Sequence, residues 1–189
     1  VGVVLLVLNL RWLPETLPRA ARQTFAAGPL LRAYWEMAAS PKFIALAFAS
    51  GVPFNGLFLY VLSSPEWLGT HLKLAPTEFV YFFGLSISGI VAGSWLSGRV
   101  AGKLPPKRQI RRGFRIMIAT TVVNVALNAW LPPHPAWALL PVAVFAFGWA
   151  LMVPVVTLLV LDLHPDRRGM ASSLQAVVGS TANGIVAGA

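Results

Sequence analysis

The stretch IMIATTVVNVALNAWLPPHPAWALLPVAVFAFGWALMVPVVTLLVL (Ile116 to Leu161) decides the fold class, because no residue in it carries a charge. A helix that crosses a hydrocarbon core about 30 Å thick needs roughly 20 apolar residues. WLPPHP (Trp130 to Pro135) divides the stretch, and its three prolines interrupt helical hydrogen bonding. The stretch therefore predicts two membrane-crossing helices joined by a tight connection.

Uncharged runs continue on both sides, from Phe43 to Pro65, from Phe79 to Gly98 and from Gly169 to Ala189. The opening run, Val1 to Leu10, is half a span, since ten helical residues cover about 15 Å. We predict an all-α polytopic membrane bundle with spans at about 42–65, 78–99, 114–131, 136–162 and 169–189. These spans form a partial bundle over 42–189. A connector over 13–41 precedes it, after the end of another transmembrane helix over 1–12.

Charged residues make up 11% of the chain and hydrophobic residues 57%, whereas a soluble domain is about a quarter charged. The net charge of +9 comes from basic residues in short connectors, which is typical of membrane topology signals and not of a nucleic-acid partner. The chain has no cysteine, and His71, His134 and His164 lie in different connectors without metal-ligand spacing. We therefore expect the lipid bilayer as a partner, and no nucleic acid, metal or cofactor.

The basic residues also predict the orientation in the membrane. All fifteen except Lys73 lie in alternate connectors, which the positive-inside rule assigns to the cytoplasm. The first of these connectors contains an amphipathic stretch from Leu30 to Ala38, in which Arg32 and Glu36 lie away from the apolar face. This stretch is either a surface-lying helix or part of a disordered linker.

GVPFNG (Gly51 to Gly56) lies near the middle of the run that begins at Phe43. Pro53 leaves a helical carbonyl without its partner, and Asn55 places an amide where hydrocarbon penalises it. We predict irregular backbone beside a substrate cavity; a structural kink with Asn55 bonded to a neighbouring helix is the alternative. The cavity wall is expected to comprise Asn55, Phe58, Tyr60, Trp149 and Met152, although Trp149 could equally face lipid and neighbouring helices.

Small residues recur at every fourth position in two runs, which predicts close approach of helix backbones. One stripe is Gly89, Gly93 and Ser97; the other is Ala176, Ser180, Gly184 and Gly188. Asn124 and Asn128 lie one helical turn apart, a spacing that favours interhelical hydrogen bonds over a role in substrate binding.

All six acidic residues lie in connectors or at helix ends, so no carboxylate occupies the middle of a span. A proton relay through the bilayer normally uses such a carboxylate, so this chain has no evident proton carrier. No acid, base and nucleophile converge in the pattern either. We expect that the protein is not an enzyme.

Three stretches resemble the major facilitator superfamily, and specifically its drug/proton antiporters of the bicyclomycin and chloramphenicol resistance type. They are LPETLP (Leu13 to Pro18), FLYVLSSPEWLGTHLKLAPTEF (Phe58 to Phe79) and TLLVLDLHPDRRGMASSLQ (Thr157 to Gln175). The resemblance implies the second half of a twelve-helix protein, from the end of helix 6 into helix 11. It also implies a missing N-terminal half as partner and a multi-pass location in the bacterial inner membrane.

GSWLSGRVAGK (Gly93 to Lys103) is similar to a degraded form of that family's cytoplasmic motif, since Arg99 and Lys103 are present but the aspartate is absent. We hypothesise that Arg99 pairs instead with Asp162 or Asp166, with Arg168 in the same cytoplasmic gate. The alternative is that these charges serve only as topology anchors and helix-end charges.

The resemblance implies export of drugs or other amphipathic small molecules by proton antiport with alternating access. Aromatic and weakly polar walls suit varied lipophilic substrates better than sugars. Two alternatives remain at this stage. One is an uptake permease for a specific metabolite, and the other is a membrane scaffold without transport.

Overall fold

A computed structural model describes residues 2–12 and 26–188. These residues form helices and turns with no β-strand, which confirms the all-α fold class. The α-helices are α1 (Gly2–Trp12), α2 (Ala27–Ala38), α3 (Pro41–Glu66), α4 (Phe79–Val100), α5 (Pro106–Trp130), α6 (Pro135–Leu163) and α7 (Arg168–Gly188). A π-helical turn, Trp67–His71, follows α3, and 3₁₀ turns, Pro76–Glu78 and Pro165–Arg167, precede α4 and α7. The stretch LPETLP lies outside the described residues.

The chain divides into two units, residues 1–35 and 36–189. The first contains α1 and most of α2, so the amphipathic stretch from Leu30 is helical. In α2, Leu31 and Trp35 are exposed whereas Ala33 is buried. Leu30 and Tyr34 are half-buried, so part of the apolar face that the sequence pattern indicates lies on the buried side of this helix.

Three described helices are long and apolar enough to cross a membrane: Pro41–His71, Pro76–Val100 and Pro135–Leu163. Helix α5 begins at Pro106, well before the predicted start near residue 114, and its first turns carry Lys107, Arg108 and Arg111. Helix α7 contains Ser, Thr, Asn and Gln side chains. These polar residues lower the mean hydropathy of both helices, so their assignment as spans stays a prediction.

Helix α6 is the core of the second unit, because twelve of its residues are buried, more than in any other described helix. Helices α4 and α5 pack along α6, while α3 packs against both α6 and α7. The connection between α5 and α6 is short, as WLPPHP predicts. It is held by Trp137 Nε1, which donates to the carbonyl of Pro132 at 3.1 Å.

The glycine stripe of α4 packs as predicted. A Cβ atom at Gly89 would overlap the carbonyl of Ala143, and one at Gly93 would overlap that of Phe147. The predicted stripe of α7 does not pack against another described helix, because Ala176, Ser180, Gly184 and Gly188 are all exposed. The contact with α3 is made by Gly179, whose Cα lies 2.8 Å from where a Cβ on Gly51 would be.

The irregular backbone predicted at GVPFNG is also wrong. Helix α3 runs without interruption from Pro41 to Glu66, through Pro53. Proline removes one backbone donor, and the remaining hydrogen bonds and the packing against α7 maintain the helix. What distinguishes Gly51–Gly56 is its set of contacts, not its backbone conformation.

Candidate functional site

Polar side chains of α3, α6 and α7 meet at Ser50, which is buried. Gln175 Nε2 donates to Ser50 Oγ at 2.9 Å and to Thr157 Oγ1 at 3.3 Å. Trp149 Nε1 donates to the backbone carbonyl of Ser50 at 3.1 Å. We call Ser50, Trp149, Thr157 and Gln175 the Ser50 network; it joins three helices through hydrogen bonds inside the bundle.

A row of aromatic rings extends from this network along α3. The Trp149 ring lies 5.2 Å from that of Phe54, which is 6.2 Å from that of Phe58. Phe54 is 37% exposed, so the row borders the outside of the packed unit. Trp149 therefore faces α3 and not lipid alone, and it lies beside the predicted wall residue Phe58.

Asn55 is a buried polar residue of α3 whose side chain makes no hydrogen bond. It is 4% exposed, and neither its Nδ2 nor its Oδ1 atom has a hydrogen-bond partner. The alternative in which Asn55 bonds to a neighbouring helix is therefore not what this structure shows. A buried donor or acceptor left unpaired costs about 1–3 kcal/mol, so Asn55 offers unused hydrogen-bonding capacity.

Asn183 on α7 follows Gly179 at the same spacing as Asn55 follows Gly51 on α3. The pairs Ser50 with Gln175 and Gly51 with Gly179 show that α3 and α7 run in parallel. Asn55 and Asn183 each follow their glycine by one helical turn, and Asn183 Oδ1 is also buried without a partner. Each of the two helices thus carries an unpaired amide oxygen one turn after the glycine at which they meet.

Tyr60 on α3 lies away from the Ser50 network, at the place where α3 approaches α5 and α6. Its hydroxyl accepts a hydrogen bond from Asn124 Nδ2 at 2.6 Å, which confirms the interhelical role predicted for Asn124. Asn128 bonds only within α5, to the Oδ1 and carbonyl oxygens of Asn124. Tyr60 and Asn124 line a small cavity of about 150 Å³, together with Thr120, Thr121 and apolar side chains.

Met152 is placed away from the other predicted wall residues. Its side chain is 0% exposed, and its Cβ atom lies 2.8 Å from where a Cβ on Gly113 of α5 would be. Met152 therefore fills the space left by a glycine on α5, and its assignment to the substrate cavity is wrong for this structure. The sequence of α6 alone does not indicate that a glycine on α5 leaves space for Met152.

The predicted cytoplasmic gate has different pairs from those expected. The Arg99 guanidinium lies over the Trp95 ring, 4.2 Å from its centroid. Asp162 instead accepts a hydrogen bond from Arg168 at 3.1 Å, because the short turn between the helices brings the end of α6 close to the start of α7. Asp166 lies in that turn. The pairing of Arg99 with Asp162 is thus not formed here, whereas Arg168 does contact a predicted gate residue.

Sequence reasoning missed several polar residues. Ser50 and Gln175 received no role, although each is a polar residue in an uncharged run. Gln109 is 1% exposed and donates through Nε2 to Ser97 Oγ at 2.8 Å and to the Leu151 carbonyl at 2.9 Å. Gln109 lies among lysine and arginine residues at the start of α5, so the sequence did not indicate that it joins α4, α5 and α6.

Within residues 2–12 and 26–188, no group of three or more His, Cys, Asp or Glu residues is arranged to hold a metal ion. The described site therefore consists of hydroxyl, amide, indole and phenyl groups. Such groups bind a ligand through hydrogen bonds and ring contacts.

Long apolar helices packed around a hydrogen-bonded, aromatic-lined interior define a polytopic helical membrane protein. The chain belongs to the Major Facilitator Superfamily, whose family model matches residues 1–187. The transporters of this family act on small-molecule substrates in the membrane.

The chain is 27% identical to an uncharacterised MFS-type transporter, YdgK, of Bacillus subtilis (strain 168), over 92% of this chain and 43% of that protein. It is 25% identical to the multidrug resistance protein D of Escherichia coli (strain K12), over 94% of this chain and 43% of that protein. It is 34% identical to the transcription regulatory protein OpdE of Pseudomonas aeruginosa, over 49% of this chain and 26% of that protein. The chain thus spans less than half the length of each of these relatives.

Proposed function

We propose that this chain is part of a secondary transporter that exports amphipathic small molecules across the bacterial inner membrane by alternating access. The observation that carries the proposal is Asn55, a buried amide with both polar atoms unpaired, which follows Phe54 of the aromatic row in the sequence of α3. In membrane helices, polar groups are expensive to bury and tend to mark functional positions. A substrate that hydrogen-bonds to Asn55 would remove that cost.

The chemistry of the site favours neutral or weakly polar substrates. The described walls supply rings, an amide and hydroxyl groups, and the nearest acidic residue to the Ser50 network on α6 is Asp162, at the end of that helix. The name of the multidrug resistance protein D supports export of drugs. Drug/proton antiport of the bicyclomycin and chloramphenicol resistance type is the finer form of this proposal.

Proton coupling, in this proposal, depends on acidic residues of the N-terminal half that the relatives' greater length implies. The membrane spans described here contain no acidic residue in their middle. The proposal includes no catalytic role for any residue of this chain.

A second candidate is a membrane receptor or scaffold that regulates without transporting. The match to the transcription regulatory protein OpdE favours it, although that match covers 49% of the chain. Uptake of a single metabolite is a third reading that the same fold permits. Export, uptake and regulation differ in the direction and presence of substrate flux.

The test is an efflux assay on the full-length protein in a bacterial host that lacks its own multidrug pumps. We expect lower intracellular accumulation of a fluorescent lipophilic dye, with accumulation restored when a protonophore collapses the proton gradient. Asn55→Leu is expected to reduce efflux about ten-fold, because loss of one hydrogen bond to a bound ligand costs about 1.4 kcal/mol. The matched control is Asn128→Leu, an exposed asparagine on α5, which should retain efflux.

Unchanged dye accumulation with the folded wild-type protein would contradict export. Saturable entry of one compound would favour the uptake permease, and the absence of any flux would favour the receptor. Equal effects of Asn55→Leu and Asn128→Leu would show that export does not depend on the site described here.

A further inference from the structure

A segment rich in basic residues joins α4 to α5. It runs from Arg99 to Arg115 and contains seven lysines and arginines, whereas no acidic residue occurs between Glu78 and Asp162. The acids Glu36 and Asp162 pair with Arg167 and Arg168, which lie outside this segment. The α4–α5 segment therefore keeps a strong positive charge at one end of the bundle.

A groove of about 470 Å³ lies between this segment and α6. One side is the α4–α5 connection, including Lys103 and Leu104, and the other is the last turns of α6. The α6 residues in the groove are Val155, Leu158, Leu159 and Asp162. Leu158 is 59% exposed, so the apolar wall opens toward the outside of the packed unit.

Two features of the backbone add to the groove. Gly102 has φ of +74°, a conformation that favours glycine, and this turn places Lys103 at the groove. Helix α5 starts at Pro106, so the positive end of its dipole lies at the same rim. Asp162 is the one carboxylate among the lining residues, and it is paired with Arg168 at 3.1 Å.

We propose that this groove binds an anionic phospholipid. The positive rim around Lys103, with Lys107 in the first turn of α5, holds the phosphate, and an acyl chain lies against Val155, Leu158 and Leu159. A cationic rim next to an apolar wall at a helix end matches the charged headgroup and the apolar chain of an anionic lipid. Basic clusters beside membrane helices attract anionic headgroups by about 1 kcal/mol for each lysine or arginine. The groove is separate from the Ser50 network, so lipid binding does not depend on the proposed transport activity.

The test measures lipid retention by the full-length protein purified in detergent. The protein is titrated with phosphatidylglycerol or with phosphatidylcholine of the same acyl chains, and bound lipid is counted by native mass spectrometry. We expect phosphatidylglycerol to bind in preference to phosphatidylcholine. Lys103→Gln with Lys107→Gln is expected to weaken phosphatidylglycerol binding about thirty-fold, which corresponds to about 2 kcal/mol at 1.4 kcal/mol per tenfold.

The matched control is Lys42→Gln with Lys73→Gln, which removes the same charge from exposed positions elsewhere and should change binding less than about two-fold. A second pair of variants tests the apolar wall of the groove without changing its charge. Leu158→Trp fills the apolar wall, whereas Leu140→Trp places the same side chain at an exposed position near the other end of α6. Leu158→Trp should lower phosphatidylglycerol binding about ten-fold, while Leu140→Trp should leave it unchanged.

Equal losses in the two lysine pairs would overturn the proposal, because they would indicate diffuse attraction to net charge. Equal results for the two tryptophan variants would overturn it as well, since the groove would then not hold the acyl chain. Displacement of phosphatidylglycerol by inorganic phosphate at equal concentration would show a simple anion site and no lipid site. Each variant is first checked for a monodisperse folded protein by size-exclusion chromatography.

Discussion

Two helix interfaces in the second unit both contain close contacts at glycine, but they differ in the side chains around those contacts. Between α4 and α6, Gly89 and Gly93 let the helix contact backbone carbonyls of its neighbour directly. Between α3 and α7, Gly51 meets Gly179, and the adjoining turns carry Ser50, Gln175 and the unpaired Asn55. Backbone contact at glycine leaves no room for a ligand, whereas polar side chains can exchange one partner for another. The α4–α6 interface is therefore scaffold, whereas the α3–α7 interface combines a glycine contact with buried polar atoms that have no partner, and it is at those atoms that the proposed ligand would bind.

The largest expected effect comes from filling the scaffold interface. Gly93→Leu places a side chain where the Phe147 carbonyl lies, and neither backbone can move without unpacking α4 from α6. We expect the free energy of unfolding to fall by about 3 kcal/mol, because overpacking a well-packed core is destabilising. Folded yield and thermal unfolding in detergent measure it. The control is Gly84→Leu on the same helix, where nothing lies within 4 Å of the Cβ position. Equal destabilisation by the two variants would show that the α4–α6 contact at Gly93 is not tightly packed.

The next effect has the opposite sign, at the polar interface. Asn55→Leu removes two unpaired buried polar atoms and keeps a similar volume, so it should stabilise the protein by about 2 kcal/mol. An upward shift in the thermal unfolding midpoint without ligand checks this prediction. If the variant were instead destabilised, Asn55 would have a partner in the unliganded protein, and its role as a free binding group would be lost.

Gln175→Leu is expected to destabilise by about 1 kcal/mol. It removes the hydrogen bonds from α7 to Ser50 on α3 and Thr157 on α6, and such bonds between membrane helices are individually weak. Thermal unfolding of Gln175→Leu beside Ser180→Leu, an exposed position on the same helix, separates the hydrogen bonds from helix hydrophobicity. Equal stability of the two would show that the Ser50 network does not hold α7.

The smallest effect on stability is expected at the helix ends. Asp162→Asn breaks the ion pair with Arg168, whose exposed side chains make it worth less than about 1 kcal/mol. If this pair helps to keep the cytoplasmic gate closed, the variant shifts the balance of inward-open and outward-open states with almost no change in stability. Cysteine accessibility on the two membrane faces measures that balance. An unchanged balance would leave these charges as topology anchors.

Part of the candidate site was predictable from the sequence. Asn55 and Trp149 were identified because a polar or amphipathic side chain in a long apolar run is unusual. Met152 was misassigned because its burial depends on Gly113, which lies on another helix. Ser50 and Gln175 were missed because serine and glutamine are unremarkable in membrane helices until their partners are known.

The sequence by itself determined the helical fold, most of the helix bounds and the placement of basic residues in alternate connectors. These features depend on the length of apolar runs, on prolines and on charge, all of which are local along the chain. Only the tertiary structure decided that Gly179 contacts α3 while the stripe of Ala176 and Ser180 faces outward, and that Asn55 stays unpaired. The physical reason is that helix contacts depend on the rotation of each helix about its axis, which the neighbouring helices set through their own small and large side chains.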